Sequence, residues 1–126
     1  MAEILVVDDD VDTREMFRQT LELDGYRVAL AANGHEALER LRCGLSPALV
    51  LLDIMMPVMN GAEMLTELRR DPRFTRTPVV LISAFGPIAE SLAALAQSYL
   101  PKPVDLERLA ELLRRYGGEA LSGADP

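Results

Sequence analysis

The stretch Ile4-Leu5-Val6-Val7-Asp8-Asp9-Asp10, ILVVDDD at residues 4–10, decides how the chain is read. Four aliphatic residues run without a break into three acids. An apolar run this short and continuous marks a strand buried on both faces. The carboxylates at its end repel one another, and a desolvated anion is costly without a counter-charge. Either these acids are fully hydrated or a cation sits among them.

Outward from this stretch, strand and helix patterns alternate. Val11 to Leu23 has helical apolar spacing through Phe17 and Leu21, with Gly25 as a stop. YRVALA (26–31) is a second strand. Gly34 to Cys43 repeats apolar residues at Ala37, Leu38 and Leu41, and Gly44 closes that helix. ALVLLD (48–53) is the third strand. Asn60 then caps a helix with Glu63 placed to reach back, and Leu65 and Leu68 form its inner stripe. PVVLIS (78–83) is the fourth strand, Ile88, Leu92 and Leu95 mark a helix, and SYLP (98–101) is a short last strand. Asp105 caps a final helix with the stripe Leu106, Leu109, Leu113 and Tyr116. Residues 118–126 lack periodicity and are expected to be a flexible tail or the start of a linker. Five such βα units predict an α/β fold, a doubly wound five-stranded parallel sheet with helices on both faces.

Length and composition agree with one domain. The 126 residues suffice for a single core, 49% are hydrophobic and only 5% aromatic, so that core is mostly aliphatic. A net charge of -7 argues against direct nucleic-acid binding, which needs clustered Lys and Arg. The lone Cys43 excludes a disulfide within the chain. No apolar run approaches the ~20 residues of a membrane span, and the N-terminus lacks a signal peptide's basic start. The expected setting is cytoplasmic, without a membrane.

In a sheet of this kind, ligands bind beyond the carboxyl ends of the strands, where strand order reverses. That rule gathers four features at one edge. Asp8 to Asp10 follow strand one, Asp53 ends strand three, Ser83 ends strand four and Lys102 follows strand five. Together they form a far more specific pattern than any one of them.

With ILVVDDD, LLDIMMPVMNG, LISA and YLPKP in this order and spacing, the chain resembles the receiver domain of bacterial two-component response regulators, of the chemotaxis-regulator-like kind. The likeness covers residues 1–117. It implies a flavodoxin-like (βα)5 fold with strand order 2-1-3-4-5. It implies that Asp53 is the phosphoryl acceptor, and that Asp8, Asp9, Asp53 and the backbone carbonyl of Met55 hold Mg²⁺ or Mn²⁺. Ser83 and Lys102 would contact the phosphoryl group, Ser83 and Tyr99 would form the conformational switch, and the Lys102–Pro103 bond would be cis. The implied partners are a sensor histidine kinase or phosphotransfer protein, and a downstream protein target or an output domain outside this sequence. Strand four, helix four, strand five and helix five would carry the output surface.

The chemistry suits these groups. An aspartate can attack phosphorus, and the loose transition state asks the protein mainly to position reactants and stabilise spreading charge. A hard divalent cation takes carboxylate oxygens, Lys102 adds a point charge, and the Ser83 hydroxyl can donate one hydrogen bond.

The same letters admit other readings. DDDVD alone is equally an N-cap cluster for the first helix. Read as D-x-D-x-V, it resembles haloacid-dehalogenase-type phosphatases, with Asp8 as nucleophile and Asp10 as acid. The later acidic pair of that family is absent. A calcium loop fails because Thr13 replaces the turn glycine and Gln19 the bidentate Glu. A degenerate receiver serving only as an interaction module is disfavoured by the full set of acids, hydroxyl and lysine. His35 is expected to face solvent, Cys43 to end a helix, and Met55, Met56, Met59 and Met64 to fill space.

Ser83 and Lys102 stand 19 positions apart (102 − 83), fewer than the family usually has. The residues before the aromatic read LAQSY, and FGPI (85–88) follows the fourth strand. Helix four is expected to be short, displaced or mobile.

Overall fold

The computed structural model describes residues 3–56, 59–84 and 90–116. Its elements are β1 (Glu3–Val7), α1 (Val11–Leu23), β2 (Arg27–Ala31), α2 (Gly34–Arg42), β3 (Leu49–Asp53), α3 (Gly61–Arg70), a 3₁₀ turn (Pro72–Phe74), β4 (Val79–Ser83), α4 (Glu90–Ala93), β5 (Ser98–Pro101) and α5 (Leu106–Tyr116). The strands form one parallel sheet in the order β2-β1-β3-β4-β5. This is the doubly wound order expected from the sequence.

The alternation of side chains along a strand divides the core in two. Leu5, Val7, Val50, Leu52, Val79 and Leu81 pack under α2 and α3 with Leu38, Leu41, Met64, Leu65 and Leu68. Ile4, Val6, Leu49, Leu51, Val80 and Ile82 pack under α1 and α5 with Phe17, Leu21, Leu109, Leu112 and Leu113. Both faces are covered, so ILVV and LVLL read as unbroken apolar runs.

Helix ends account for one shifted boundary. After α1, the Gly25 N–H donates to Glu22 O and the Tyr26 N–H to Leu21 O, with Gly25 at φ 91°. That paired return is a Schellman cap, so Tyr26 closes the helix and β2 starts at Arg27. The same pairing ends α2 at Gly44 and Leu45. Cys43 is the C-cap there, and His35 is exposed.

Two expectations are corrected. Leu106 is not part of the inner stripe of α5. It is 50% exposed, and Leu112 is buried in its place. Leu106 is the first helical residue, where a side chain leans back over the preceding turn and away from the sheet. Met55 does not fill space either: it is 58% exposed, just beyond the end of β3, while Met56 and Met64 are buried.

Asp71 receives the Arg73 N–H and opens the 3₁₀ turn, which the periodicity did not signal. Near it, the Arg69 guanidinium bridges α3 to the segment before β5. It donates to Leu95 O (2.8 Å), Phe74 O (2.9 Å) and Thr77 O (2.8 Å), and reaches Gln97 Oε1 at 3.3 Å. Of the expected helix-four stripe, Leu92 and Leu95 pack against the core from partly buried positions. Ile88, FGPI and residues 118–126 lie outside the described residues.

Candidate functional site

Strand order fixes the site. β1 and β3 are central neighbours, so the residues that leave their carboxyl ends meet. The Asp8 N–H still belongs to the sheet and donates to Ala31 O at 3.1 Å. Its carboxylate, 1% exposed, accepts the Asp10 N–H at 2.9 Å on Oδ1. The Asp8 carbonyl accepts Arg14 Nη1 at 2.7 Å. Asp9 is exposed beside it.

Asp53 is the last residue of β3 and is 3% exposed. Its Oδ1 accepts the Met55 N–H at 3.3 Å. Gly61, the first residue of α3, closes the chain back onto β3 by donating its N–H to Ile54 O at 2.9 Å. A Cβ at Gly61 would lie 2.5 Å from Asp53 O, so only glycine permits this approach. Asn60 and Glu63 cap α3 reciprocally, as expected.

One carboxylate oxygen from each of Asp8, Asp9 and Asp53 lies within 4.8 Å of the others. Three oxygen donors on a partly open edge fit a hard divalent cation and suit soft ions poorly. The acidic cluster can therefore hold a metal.

Lys102 approaches from the other side. Its Nζ is 3.5 Å from Asp8 Oδ2 and 3.6 Å from Asp53 Oδ2. Its N–H donates to Ser83 O at 2.7 Å, and the Lys102–Pro103 bond is cis. Ser83 is buried at the end of β4. Burial, and then the charge of Asp8, push the Asp53 carboxyl up to about 6, against the opposing pull of Lys102.

Asp10 stands apart. Its carboxylate caps α1, accepting the Thr13 N–H at 3.2 Å and the Thr13 hydroxyl. The same acid run thus divides into a cluster and a cap. This geometry does not support Asp10 as the acid of a phosphatase. Tyr99 lies on the edge strand β5 opposite Leu81 and is 44% exposed.

The sequence reading missed Arg14. It is six residues from Asp8, and a basic residue on the first turns of a helix ordinarily reads as a solvated one. Its contact goes to a backbone carbonyl, which leaves no mark in the sequence.

Comparison with known proteins decides the family. The family model described as "Response regulator receiver domain" matches residues 4–114. This chain belongs to that family. The receiver domain is 42% identical over 129 residues to the response regulator MprA of Mycobacterium ulcerans, covering 97% of this chain and 54% of that protein. It therefore spans about half the length of that regulator. Among solved structures, it is similar to the chemotaxis protein CheY4 of Vibrio cholerae, with a TM-score of 0.83 and 33% identity over 92% of this chain and 98% of that one. It is also similar to the response regulator TrrA of Thermotoga maritima, solved in complex with Mg(2+)-BeF, with a TM-score of 0.84 and 32% identity over 92% and 99% of the two chains. The receiver domain is thus a signalling switch of two-component systems.

Proposed function

We propose that this receiver domain accepts a phosphoryl group on Asp53 from a sensor histidine kinase or phosphotransfer protein, and changes conformation to alter the binding of a downstream target. The observation that carries this reading is the position of Asp53, buried between two further aspartates and the Lys102 ammonium.

Asp53 attacks through a carboxylate oxygen. The new bond is O–P, and the bond that breaks joins phosphorus to the donor, whose leaving atom departs with the electron pair. Ionised Asp53 is the nucleophile. With its carboxyl held at about 6, most of it is ionised at neutral pH. Asp8, Asp9, Asp53 and the Met55 carbonyl would hold Mg²⁺ or Mn²⁺, which would supply positive charge to offset that of the carboxylates and the incoming phosphoryl group. Lys102 swings its flexible ammonium from the carboxylates to the new phosphoryl oxygens. Ser83 turns its hydroxyl toward the same group, and Tyr99 moves inward from its half-exposed position. A local gain of charge thereby biases a two-state element formed by β4, α4, β5 and α5. Loss of the group is hydrolysis: water oxygen bonds to phosphorus as the Asp53 O–P bond breaks, and inorganic phosphate leaves.

In this reading the domain is a switch rather than an enzyme acting on a separate substrate, and it works in the cytoplasm beside its kinase. Among the described residues, no helix is long and apolar enough to cross a membrane. The intact mass after incubation with a small phosphodonor and Mg²⁺ tests the reading. One phosphoryl group should be gained by the wild type and none by Asp53→Asn. Equal labelling of that variant would overturn the assignment, and labelling at Asp8 would favour a phosphatase-type nucleophile.

A further inference from the structure

The same local pattern, Asn-Gly-x-Glu, opens both α2 and α3: Asn33-Gly34-His35-Glu36 and Asn60-Gly61-Ala62-Glu63. In each the asparagine side chain accepts the glutamate N–H, and the glutamate carboxylate reaches back to a backbone N–H, of Ala32 or of Asn60. The glycine is the first helical residue in both. Capping explains the asparagine and the glutamate. It does not explain the glycine, because that position accepts most residues.

Space explains it. Gly61 lies against the carbonyl of Asp53. Gly34 lies against the far arm of the same loop. Its N–H donates to Met59 O at 3.0 Å. A Cβ at Gly34 would lie 2.9 Å from Met59 O, 2.9 Å from Met59 Cγ and 2.9 Å from Met64 Cβ. The Met59 side chain could turn aside, but the carbonyl could move only with the loop. Gly61 is therefore held against Ile54, and Met59, two residues before Gly61, is held against Gly34. Met55 lies on the near arm, its N–H on Asp53.

We propose that Gly34 is a positioning residue for the acceptor loop: the start of α2, packed on Met59, fixes where the Met55 arm stands relative to Asp53. This rests on the phosphoacceptor reading of Asp53. The consequence is that α2 constrains the site although it contributes no side chain to it.

Gly44, at the other end of α2, provides the control. It has φ +114°, and a Cβ there would meet no atom within 4 Å, so Gly44→Ala strains the backbone without touching the loop. Both Gly34→Ala and Gly44→Ala should lower the melting temperature. Gly34→Ala alone should weaken Mg²⁺ binding, by about tenfold, and slow labelling by a small phosphodonor in step, since supporting contacts of metal ligands commonly carry effects of that size. Equal Mg²⁺ affinity in the two variants would overturn the proposal. Should Gly34→Ala fail to fold, amide exchange in the wild type decides. The Gly34 N–H should exchange more slowly once Mg²⁺ and beryllium fluoride are added, and an unchanged rate would overturn the proposal. A wild type that takes up neither Mg²⁺ nor a phosphoryl group would remove the functional reading and this proposal with it. A wild type that is labelled normally, with Gly34→Ala matching Gly44→Ala, would remove this proposal alone.

Discussion

The Lys102 ammonium stands 3.6 Å from Asp53 Oδ2 and at nearly the same distance, 3.5 Å, from Asp8 Oδ2. One cation thus bridges two buried carboxylates that end different strands. Removing it leaves two like charges without compensation. Lys102→Ala should destabilise the protein in chelator by about 1–3 kcal/mol, less than for a fully buried pair because the lysine is partly hydrated and Asp53 can protonate. Mg²⁺ should then stabilise the variant more than the wild type. Urea denaturation with and without Mg²⁺ measures both effects, and equal stabilities in chelator would contradict the bridging role.

Asp53 gives the metal-free protein a definite pH dependence. Its carboxyl is raised to about 6 in the fold, by burial first and by Asp8 second, whereas an unfolded aspartate titrates near ~3.9. The folded state therefore binds this proton more tightly. Its contribution favours folding below the unfolded value and is lost as pH rises from ~4 through ~6, by roughly 2–3 kcal/mol. Asp53→Asn should flatten that fall. Denaturation midpoints in chelator across this range are the measurement, and an identical slope in the variant would contradict it.

The exposed acid of the cluster separates metal binding from stability. Asp9 is hydrated, so Asp9→Ala should leave metal-free stability nearly unchanged or slightly raised through relief of repulsion. In the wild type, Mg²⁺ at one hundred times its Kd should add about 2.7 kcal/mol. Most of that gain should vanish in the variant. A melt that responds to Mg²⁺ equally in both proteins would exclude Asp9 as a ligand.

Much of this was legible in the sequence, for identifiable reasons. The strands were readable because both faces are buried, which leaves Ile4 to Val7 and Leu49 to Leu52 wholly aliphatic. The helix caps were readable because Asn60 and Glu63 satisfy backbone donors at fixed offsets. The convergence of Asp8, Asp53, Ser83 and Lys102 followed from the parallel topology. What escaped were contacts that end on backbone. Arg14 on Asp8 O, Gly34 on Met59 O and Arg69 on Leu95 O involve acceptors that every residue carries. Leu106 misled because apolar spacing gives a stripe but not the turn at which the stripe begins.

Arg69 is held by neutral acceptors alone among the described residues, and Gln97 Oε1, which it approaches, also takes the Val79 N–H at 2.6 Å. A lysine offers donors from one point and cannot reach so divergent a set. Arg69→Lys should therefore cost about 1–3 kcal/mol, nearly as much as Arg69→Ala, and Gln97→Ala about 1 kcal/mol. Faster amide exchange at Val79 should accompany each. A fully stable Arg69→Lys protein would show that charge, rather than the fork of donors, matters here.

The short outer strand β5 has a consequence for association between molecules. The Lys102 N–H points at β4, so the N–H position at Pro101, one residue earlier, faces the open side, and proline has no hydrogen to offer there. A strand of another chain would meet an edge four residues long with a donor missing near its end. Growth of the sheet across this border is thereby discouraged. Copies or partners that meet this molecule on that flank are steered to side chains, such as the half-exposed Tyr99, rather than to an added strand, and neighbouring sheets are discouraged from fusing into a continuous one.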